Sequence, residues 1–261
     1  NMYISPRPNW EQLKNFYWRS QARQYWLTDL WEHTRDQRQT RLLLPRLQWI
    51  HDLMAQFMPT DSLQIGEYLA SQLGYYFSAR TILPKTDYKL VAPLISPESM
   101  RQEVKGENID EEVEKNSLDA ALLFEALERA PNPKELLSDV IRALRPGGLC
   151  FITCLLSTGL EAKILGADSD IFIPPERMNV LSFEGMSKLI AQTDQLDTIE
   201  FSTPSVLDIS NVIEKLANDD GTSFFHYILK RRGDPELLSS FQDFLQLNRL
   251  GTFGRLVLRK I

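Results

Sequence analysis

Cysteine is nearly absent from this chain, with Cys150 and Cys154 the only two among 261 residues. Two thiols are too few for a disulfide framework or a zinc site, and C-x-x-x-C is not the redox spacing. They lie an even number of residues apart in an apolar run, so in a strand both point to one face as small core residues. Histidine is also scarce, limited to His33, His51 and His226. No apolar stretch reaches membrane-span length and no secretory signal opens the sequence, so a cytoplasmic protein is expected. Positive charge is not in surplus either. A formal net charge of −6 gives no general attraction to nucleic acid or anionic lipid. Internal repeats and low-complexity segments are missing, and Asn1, ahead of Met2, is left out of the reading.

The most informative segment is Asn116–Cys154. Leu118–Phe124 is an apolar run too short for a helix and fits a buried parallel strand. Asn132 can cap a helix that opens at Pro133, with Leu136, Leu137, Val140, Ile141 and Leu144 as its apolar stripe. Pro146-Gly147-Gly148 stops that helix and leads into a second apolar run, Leu149–Leu156. Strand, helix and strand in this order make a right-handed crossover in an α/β sheet.

Other elements follow from the same cues. Residues 1–59 read as a helical cap: Asn9 and Gln12 form a capping-box-like start, and Trp10, Leu13, Phe16 and Tyr17 recur at helical spacing. A second run carries Leu47, Ile50, Leu53, Met54 and Phe57, opened by Pro45. All five tryptophans fall in this cap, as an aromatic seam docking it onto the main body. Within 60–202, strands are expected at Ser62–Gly66, Tyr88–Leu94 and Leu196–Phe201, and helices at Glu67–Phe77 and Ser182–Ala191. Glu103–Lys115 reads as a solvated acidic run. A helical insertion occupies 203–251, with runs at Val206–Leu216, Phe224–Leu229 and Pro235–Asn248, before a last strand in 252–261. Connections are normally short, so an insertion of this size is expected to shape a pocket or an oligomer contact.

The pattern D-x-x-x-x-F-E-x-L-E…P-x-x-L-L…L-x-P-G-G in Asn116–Cys154 resembles the second half of a class I S-adenosylmethionine-dependent methyltransferase. More narrowly it is similar to a bacterial subgroup associated with sugar and surface-glycan biosynthesis. Four further motifs of that subgroup have counterparts in order: Phe16-Tyr17 with Tyr25-Trp26, Pro174–Asn179, Thr203–Asp208 and Phe244–Asn248. The resemblance implies a Rossmann-like sheet with N-terminal helices and a helical insertion before the last strand. It also implies S-adenosylmethionine as cofactor, with Tyr17, Tyr25 and Trp26 on a lid facing it.

The cofactor half of the pattern is degraded. Where the family has an acidic residue and spaced glycines after its first strand, this chain has Gln64, Gly66, Tyr68 and Ala70. A tyrosine blocks close backbone approach, and non-glycine residues adopt positive φ only at a cost. Glu67 is expected to set a negative charge where the cofactor's carboxylate would lie. The glutamate that would grip the ribose hydroxyls is Ala92. Glu125 persists, as a floor residue of the cleft or, together with Glu128, as a partner of a nearby Arg or Lys or a cap of the helix that follows. At the chemistry positions Glu128 and Glu176 persist, but both family histidines are arginines, Arg129 and Arg177. Arginine stays protonated and cannot act as a general base. His226 sits among aromatic residues of the insertion and is the one histidine with a conceivable pocket role; His33 and His51 read as helix-surface or packing residues.

Three functions remain open. The first is a degenerate methyltransferase relative with weak or no cofactor binding. It would act as a partner-binding or scaffold protein in a glycan or sugar-modification pathway, in a homo- or hetero-oligomer with a methyltransferase relative. The second is a working methyltransferase on a sugar-like or nucleotide-linked acceptor. The third is a module binding an anionic ligand such as a sugar phosphate, clamped by Arg129 and Arg177. No metal, nucleic-acid or membrane partner is expected.

Overall fold

The computed structural model describes residues 1–59, 61–104, 109–110, 112–216, 224–231 and 234–261. In chain order the elements begin with β1 (Met2–Tyr3), α1 (Trp10–Arg19), α2 (Gln21–Tyr25), α3 (Trp31–Arg38) and α4 (Leu44–Phe57). Then come β2 (Leu63–Tyr68), α5 (Gly74–Ile82), β3 (Thr86–Val91), α6 (Pro97–Glu103), β4 (Ile109–Asp110) and β5 (Leu118–Phe124). The middle of the chain forms α7 (Ala126–Arg129), α8 (Pro133–Ala143), β6 (Leu144–Leu155), α9 (Leu160–Leu165), β7 (Asn179–Val180), α10 (Phe183–Ala191) and β8 (Leu196–Ser202). Last are α11 (Asp208–Lys215), α12 (Phe224–His226), α13 (Pro235–Leu247) and β9 (Phe253–Lys260).

Seven strands form one sheet in the order β4-β3-β2-β5-β6-β9-β8. The neighbours from β4 to β6 are parallel, and β9 runs antiparallel to both β6 and β8. From β2 the chain winds outward through β3 to β4, then returns to β5 on β2's other side. The order therefore reverses between β2 and β5, and the crevice outside the carboxyl ends of those strands is where such sheets bind ligands.

The sheet is buried on both faces, which is why β5 and β6 read as continuous apolar runs. Ala121, Leu123, Cys150, Ile152 and Cys154 face the core under α1, α8 and α10. Ala120, Leu122, Phe124, Leu149 and Phe151 face the core under α4 and α5. Both cysteines thus lie on one face, free and fully buried, as their spacing predicts. Helix α8 is built as expected: the Asn132 side chain accepts from the Lys134 amide at 3.1 Å, Pro133 opens the first turn, and Leu137, Val140 and Ile141 are buried.

Several sequence expectations shift. The helix read at Glu67–Phe77 is strand as far as Tyr68, because Glu67 and Tyr68 pair with Leu90 and Val91 and are buried. Its helix starts at Gly74, with no side-chain cap at Leu73 to announce it. Strand β3 ends at Val91 rather than Leu94, because Ala92 turns left-handed (φ 45°) and Pro93 has no amide to donate. The first strand starts one residue late, since Ser62 is left-handed (φ 62°). Asn1 is not idle: its side chain accepts from the Ser182 amide at 2.8 Å, and β1 pairs with β7. The cap contains two π-helical turns, Trp26–Leu30 and Gln39–Leu43, which periodicity does not reveal. Part of the Glu103–Lys115 run lies outside the described residues. None of the described helices is long and apolar enough to cross a membrane.

Candidate functional site

Three strands end alike at the crevice. Leu69, Ala92 and Glu125 directly follow β2, β3 and β5, and all three are left-handed, with φ of 52°, 45° and 49°. None is glycine, so each carries strain of order 1–2 kcal/mol. The bends are held by backbone bonds: Leu69 N–H to Val91 O at 3.0 Å, Leu94 N–H to Ala70 O at 2.8 Å, and Glu125 N–H to Thr153 O at 2.9 Å. The first two tie the β2 and β3 ends together and use amides that would otherwise be free for a ligand.

The centre of the crevice is filled by charged and aromatic side chains. Glu125 Oε1 accepts from Arg46 Nη1 at 2.9 Å and from the Thr153 hydroxyl at 3.1 Å. Arg46 also donates to the Tyr75 hydroxyl at 2.6 Å, and the Tyr75 ring stacks on Phe124 at 3.9 Å. Arg129 donates to the Phe124 carbonyl at 2.7 Å and lies 3.8 Å from Glu125 Oε2. Burial opposes the charge on Glu125, but Arg46 and Arg129 outweigh it and hold the carboxyl below the usual range. Next to this cluster, the buried Tyr17 hydroxyl donates to the Glu176 carbonyl at 3.2 Å, and burial pushes its pKa up to about 12. Arg23 is also buried; its guanidinium reaches the Ser71 carbonyl and lies over the Tyr17 and Trp26 rings. Burial lowers the Arg23 pKa to about 10, which leaves it charged at neutral pH.

Two cavities flank this filling and share no lining residue. One, about 360 Å3, lies against the ends of β2 and β3 and is lined by Tyr68, Leu69, Val91, Ala92 and Val113, with Trp10 and α8 opposite. Its carboxylates, Glu112, Glu135 and Asp139, are all exposed. The other, about 440 Å3, lies between α4, the end of β6 and residues 204–211 of the insertion, and includes Arg41, Arg46, Arg177 and Arg255. Gly66, Glu67, Tyr17, Glu125 and Arg129 line neither.

Residues 83–152 match the model of a methyltransferase domain family. The plantazolicin methyltransferase BpumL, solved with S-adenosylhomocysteine, superposes with a TM-score of 0.55 at 13% identity, covering 95% of this chain and 93% of its own. Geranyl diphosphate methyltransferase, solved with geranyl diphosphate and sinefungin, gives 0.50 at 14% identity, covering 84% and 78%. A chain from the Haloferax volcanii complex that contains the Trm112 methyltransferase activator gives 0.50 at 12% identity, covering 88% and 96%. No curated protein matches the chain in sequence. The chain has the class I methyltransferase fold.

The group this fold implies at these strand ends is S-adenosylmethionine, and three features of this chain bear on its fit. The end of β3 offers Ala92 flanked by Val91 and Pro93, with no carboxylate for a ribose. The Tyr68 side chain occupies the end of β2, and the space before β5 belongs to Glu125, Arg46, Arg129 and Tyr17.

Individual expectations are also corrected. Glu67 presents no negative charge. It is buried, accepts from the Tyr88 hydroxyl at 2.8 Å, and burial raises its pKa to about 8, so it is mostly neutral at pH 7. Gly66 is a packing glycine: a Cβ there would lie 2.8 Å from Leu118 Cδ1. Gln64 sits near the start of β2, bonded through its amide to Asp119 at 2.7 Å, far along the strand from the crevice. Tyr25 is 57% exposed and lines neither cavity, while Trp26 packs on Trp31. Only Tyr17 of the three aromatic residues reaches the filled centre.

Arg129 and Arg177 do not form one clamp, because Arg129 is committed to Phe124 and Glu125 whereas Arg177 lines the larger cavity and bonds the Asp170 carbonyl. Glu128 is buried; its Oε1 accepts from the Leu155 amide at 2.6 Å, and burial raises its pKa to about 7. Glu176 contributes its backbone carbonyl to Tyr17. His226 is buried in the insertion and lines neither cavity. Sequence reading missed Arg46. Its signal was position: it falls on the apolar stripe Leu43, Leu47, Ile50 and Met54, where an arginine must find a buried partner.

Proposed function

We propose that this chain keeps the methyltransferase fold but has little or no hold on S-adenosylmethionine, and acts as a partner-binding or scaffold protein. The observation that carries this reading is the Glu125–Arg46–Arg129–Tyr17 cluster, whose members bond one another and the neighbouring backbone, with only Arg129 Nε left unpartnered, where the cofactor's amino-acid part would have to lie. The missing carboxylate at Ala92 supports it, because a ribose contact of that kind is a charge-assisted bond worth about 1.5–3 kcal/mol. Arg129 and Arg177 support it further, since neither can take a proton from an acceptor at neutral pH. The pathway suggested by the sequence resemblance is sugar or glycan modification, and an oligomer with a methyltransferase relative is the natural partnership. The Haloferax neighbour comes from a complex with a methyltransferase activator, which supports a partner of some kind on this fold.

A thermal melt with 1 mM S-adenosylhomocysteine tests the reading. A ligand at a hundred times its dissociation constant adds about 2.7 kcal/mol, which for a chain of this size raises Tm by roughly 5–10 °C. We expect a change within the scatter of the control. A clear rise would establish cofactor binding and favour the working enzyme, with the cavity beside Ala92 as its entry.

A further inference from the structure

The larger cavity combines apolar walls with arginines whose donors are only partly used, and we propose that it binds an amphipathic anion, an apolar body bearing one phosphate or carboxylate. This inference goes beyond the proposed loss of the methyl donor and does not depend on it. Leu42, Pro45, Leu155, Ile171 and Phe253 supply apolar wall, and Val206 and Leu207 extend it outward with exposures of 69% and 58%. Both residues lie in the irregular stretch that leads into α11, where Leu207 is the N-cap.

The carboxylates of the cavity have their own partners. Glu161 accepts from the Ser169 hydroxyl at 2.6 Å and from Asn211 Nδ2 at 3.2 Å. Asp208 accepts from the Thr252 amide at 2.7 Å and from Gln242 Nε2 at 3.0 Å. Asp170 pairs with Lys215 at 2.8 Å. These bonds fix the acids as wall structure and leave the arginines to face a ligand.

The arginines are less fully used. Arg46 spends Nη1 on Tyr75 and Glu125, and its guanidinium carbon lies 4.5 Å from the centre of the Phe253 ring. Arg255 spends Nε on Glu200 at 2.9 Å and stacks over Trp49. Arg177 spends one Nη on the Asp170 carbonyl. Arg41 is exposed and bonds no described residue. Counting Lys215 and the acids behind Arg46 and Arg255, the formal charges of the region balance. The case for an anion therefore rests on available guanidinium N–H groups beside apolar wall rather than on net charge. Arginine forks match phosphate and carboxylate, and a ligand held by them places its apolar part against Phe253, Leu155 and Val206. Arg41 and Arg177 are the clamp residues, since Arg46 and Arg255 are held in place by their acids.

Calorimetric titration of the full chain with octyl phosphate, octanoate, 1-octanol and inorganic phosphate tests this. Octyl phosphate or octanoate should bind at least tenfold more tightly than both octanol and inorganic phosphate, and the tighter of the two identifies the head group. Arg41→Ala and Arg177→Ala should each weaken that binding about tenfold, while Arg35→Ala, on the exposed face of α3, should leave it unchanged. Circular dichroism confirms that each variant is folded. The wild-type comparison needs no variant, so it stands even if one fails to fold. Equal binding of octanol and octyl phosphate, no binding by either anion, or folded Arg41 and Arg177 variants with unchanged affinity would each overturn the proposal. Because S-adenosylhomocysteine is absent from this assay, its result is independent of the melt described above.

Discussion

The two sides of the crevice are built differently. On the β5–β6 side charged residues gather: Glu125 sits at the centre, and Arg46, Arg129 and Thr153 surround it. On the β2–β3 side the backbone bends without a charged cluster around it. Leu69 and Ala92 hold left-handed bends without glycine, and no carboxylate ends β3. A bend is fixed by the hydrogen bonds of the strands beside it, so it forms without the residue best suited to it. A side chain has no such support unless it finds a use within the fold, as Glu125 does with its arginines.

The largest effect should come from removing that use. Glu125→Ala leaves Arg46 and Arg129 close together with no carboxylate between them, and breaking a buried pair in this way costs about 3–5 kcal/mol. Glu125 is 22% exposed on its side chain, so the lower end of that range applies. Glu125→Gln keeps an acceptor for Arg46 and should lose less. Urea denaturation of both variants measures the difference. A loss below 1 kcal/mol for the alanine would mean that the cluster does not hold this edge of the sheet, and the contrast between the two sides would fail.

A smaller effect concerns Glu67, which ends up inside the β2 side rather than at its surface. Folded, it keeps its proton up to pH about 8; unfolded, it releases it near 4.5. Between those values the folded state binds more protons, so its contribution is fully present below pH 4.5 and is lost as pH rises to 8. Glu128 acts in the same direction up to about pH 7. Each pH unit across the window is worth at most about 1.4 kcal/mol per group. Wild type should therefore be less stable at pH 8 than at pH 5, and Glu67→Gln should flatten much of that slope. A variant as pH-sensitive as the wild type would show that Glu67 ionises freely.

The same contrast governs what the sequence disclosed. The β5–α8–β6 unit was legible because its signals are local: Asn132 caps, Pro133 opens the helix, the stripe turns inward, and Pro146-Gly147-Gly148 lies just beyond its end. The end of β2 was not. Tyr68 and Glu67 look like helix residues until their pairing with β3 is known, and Leu73 caps α5 with no side chain that marks a start. Substitutions at Tyr68 and Ala92 were visible as departures from a motif. Tyr17 and Glu125 were expected at the crevice, but Arg46, which joins them from α4, was not visible, because its partners are distant in sequence. The charge expected of Glu67 failed for a related reason: sequence gives the residue, but burial sets its protonation.

The smallest effect tests whether the bends on the β2–β3 side store strain. Ala92 has φ 45°, a conformation that an L-residue with a Cβ holds at about 1–2 kcal/mol. Replacing it by glycine removes that strain, while the freer unfolded chain takes back about 0.4–1 kcal/mol. Ala92 lies at the edge of the smaller cavity and is only half-buried, so little packing is lost. Ala92→Gly should therefore stabilise the protein by up to about 1 kcal/mol, a rise of a few degrees in Tm. Leu69→Gly is the control with the opposite sign, because Leu69 is buried in the core under α1 and loses more by truncation than it gains at the backbone. If Ala92→Gly destabilised the fold as Leu69→Gly does, the Ala92 methyl would be a packing element in its own right. The left-handed bend would then be held by packing as well as by its hydrogen bonds.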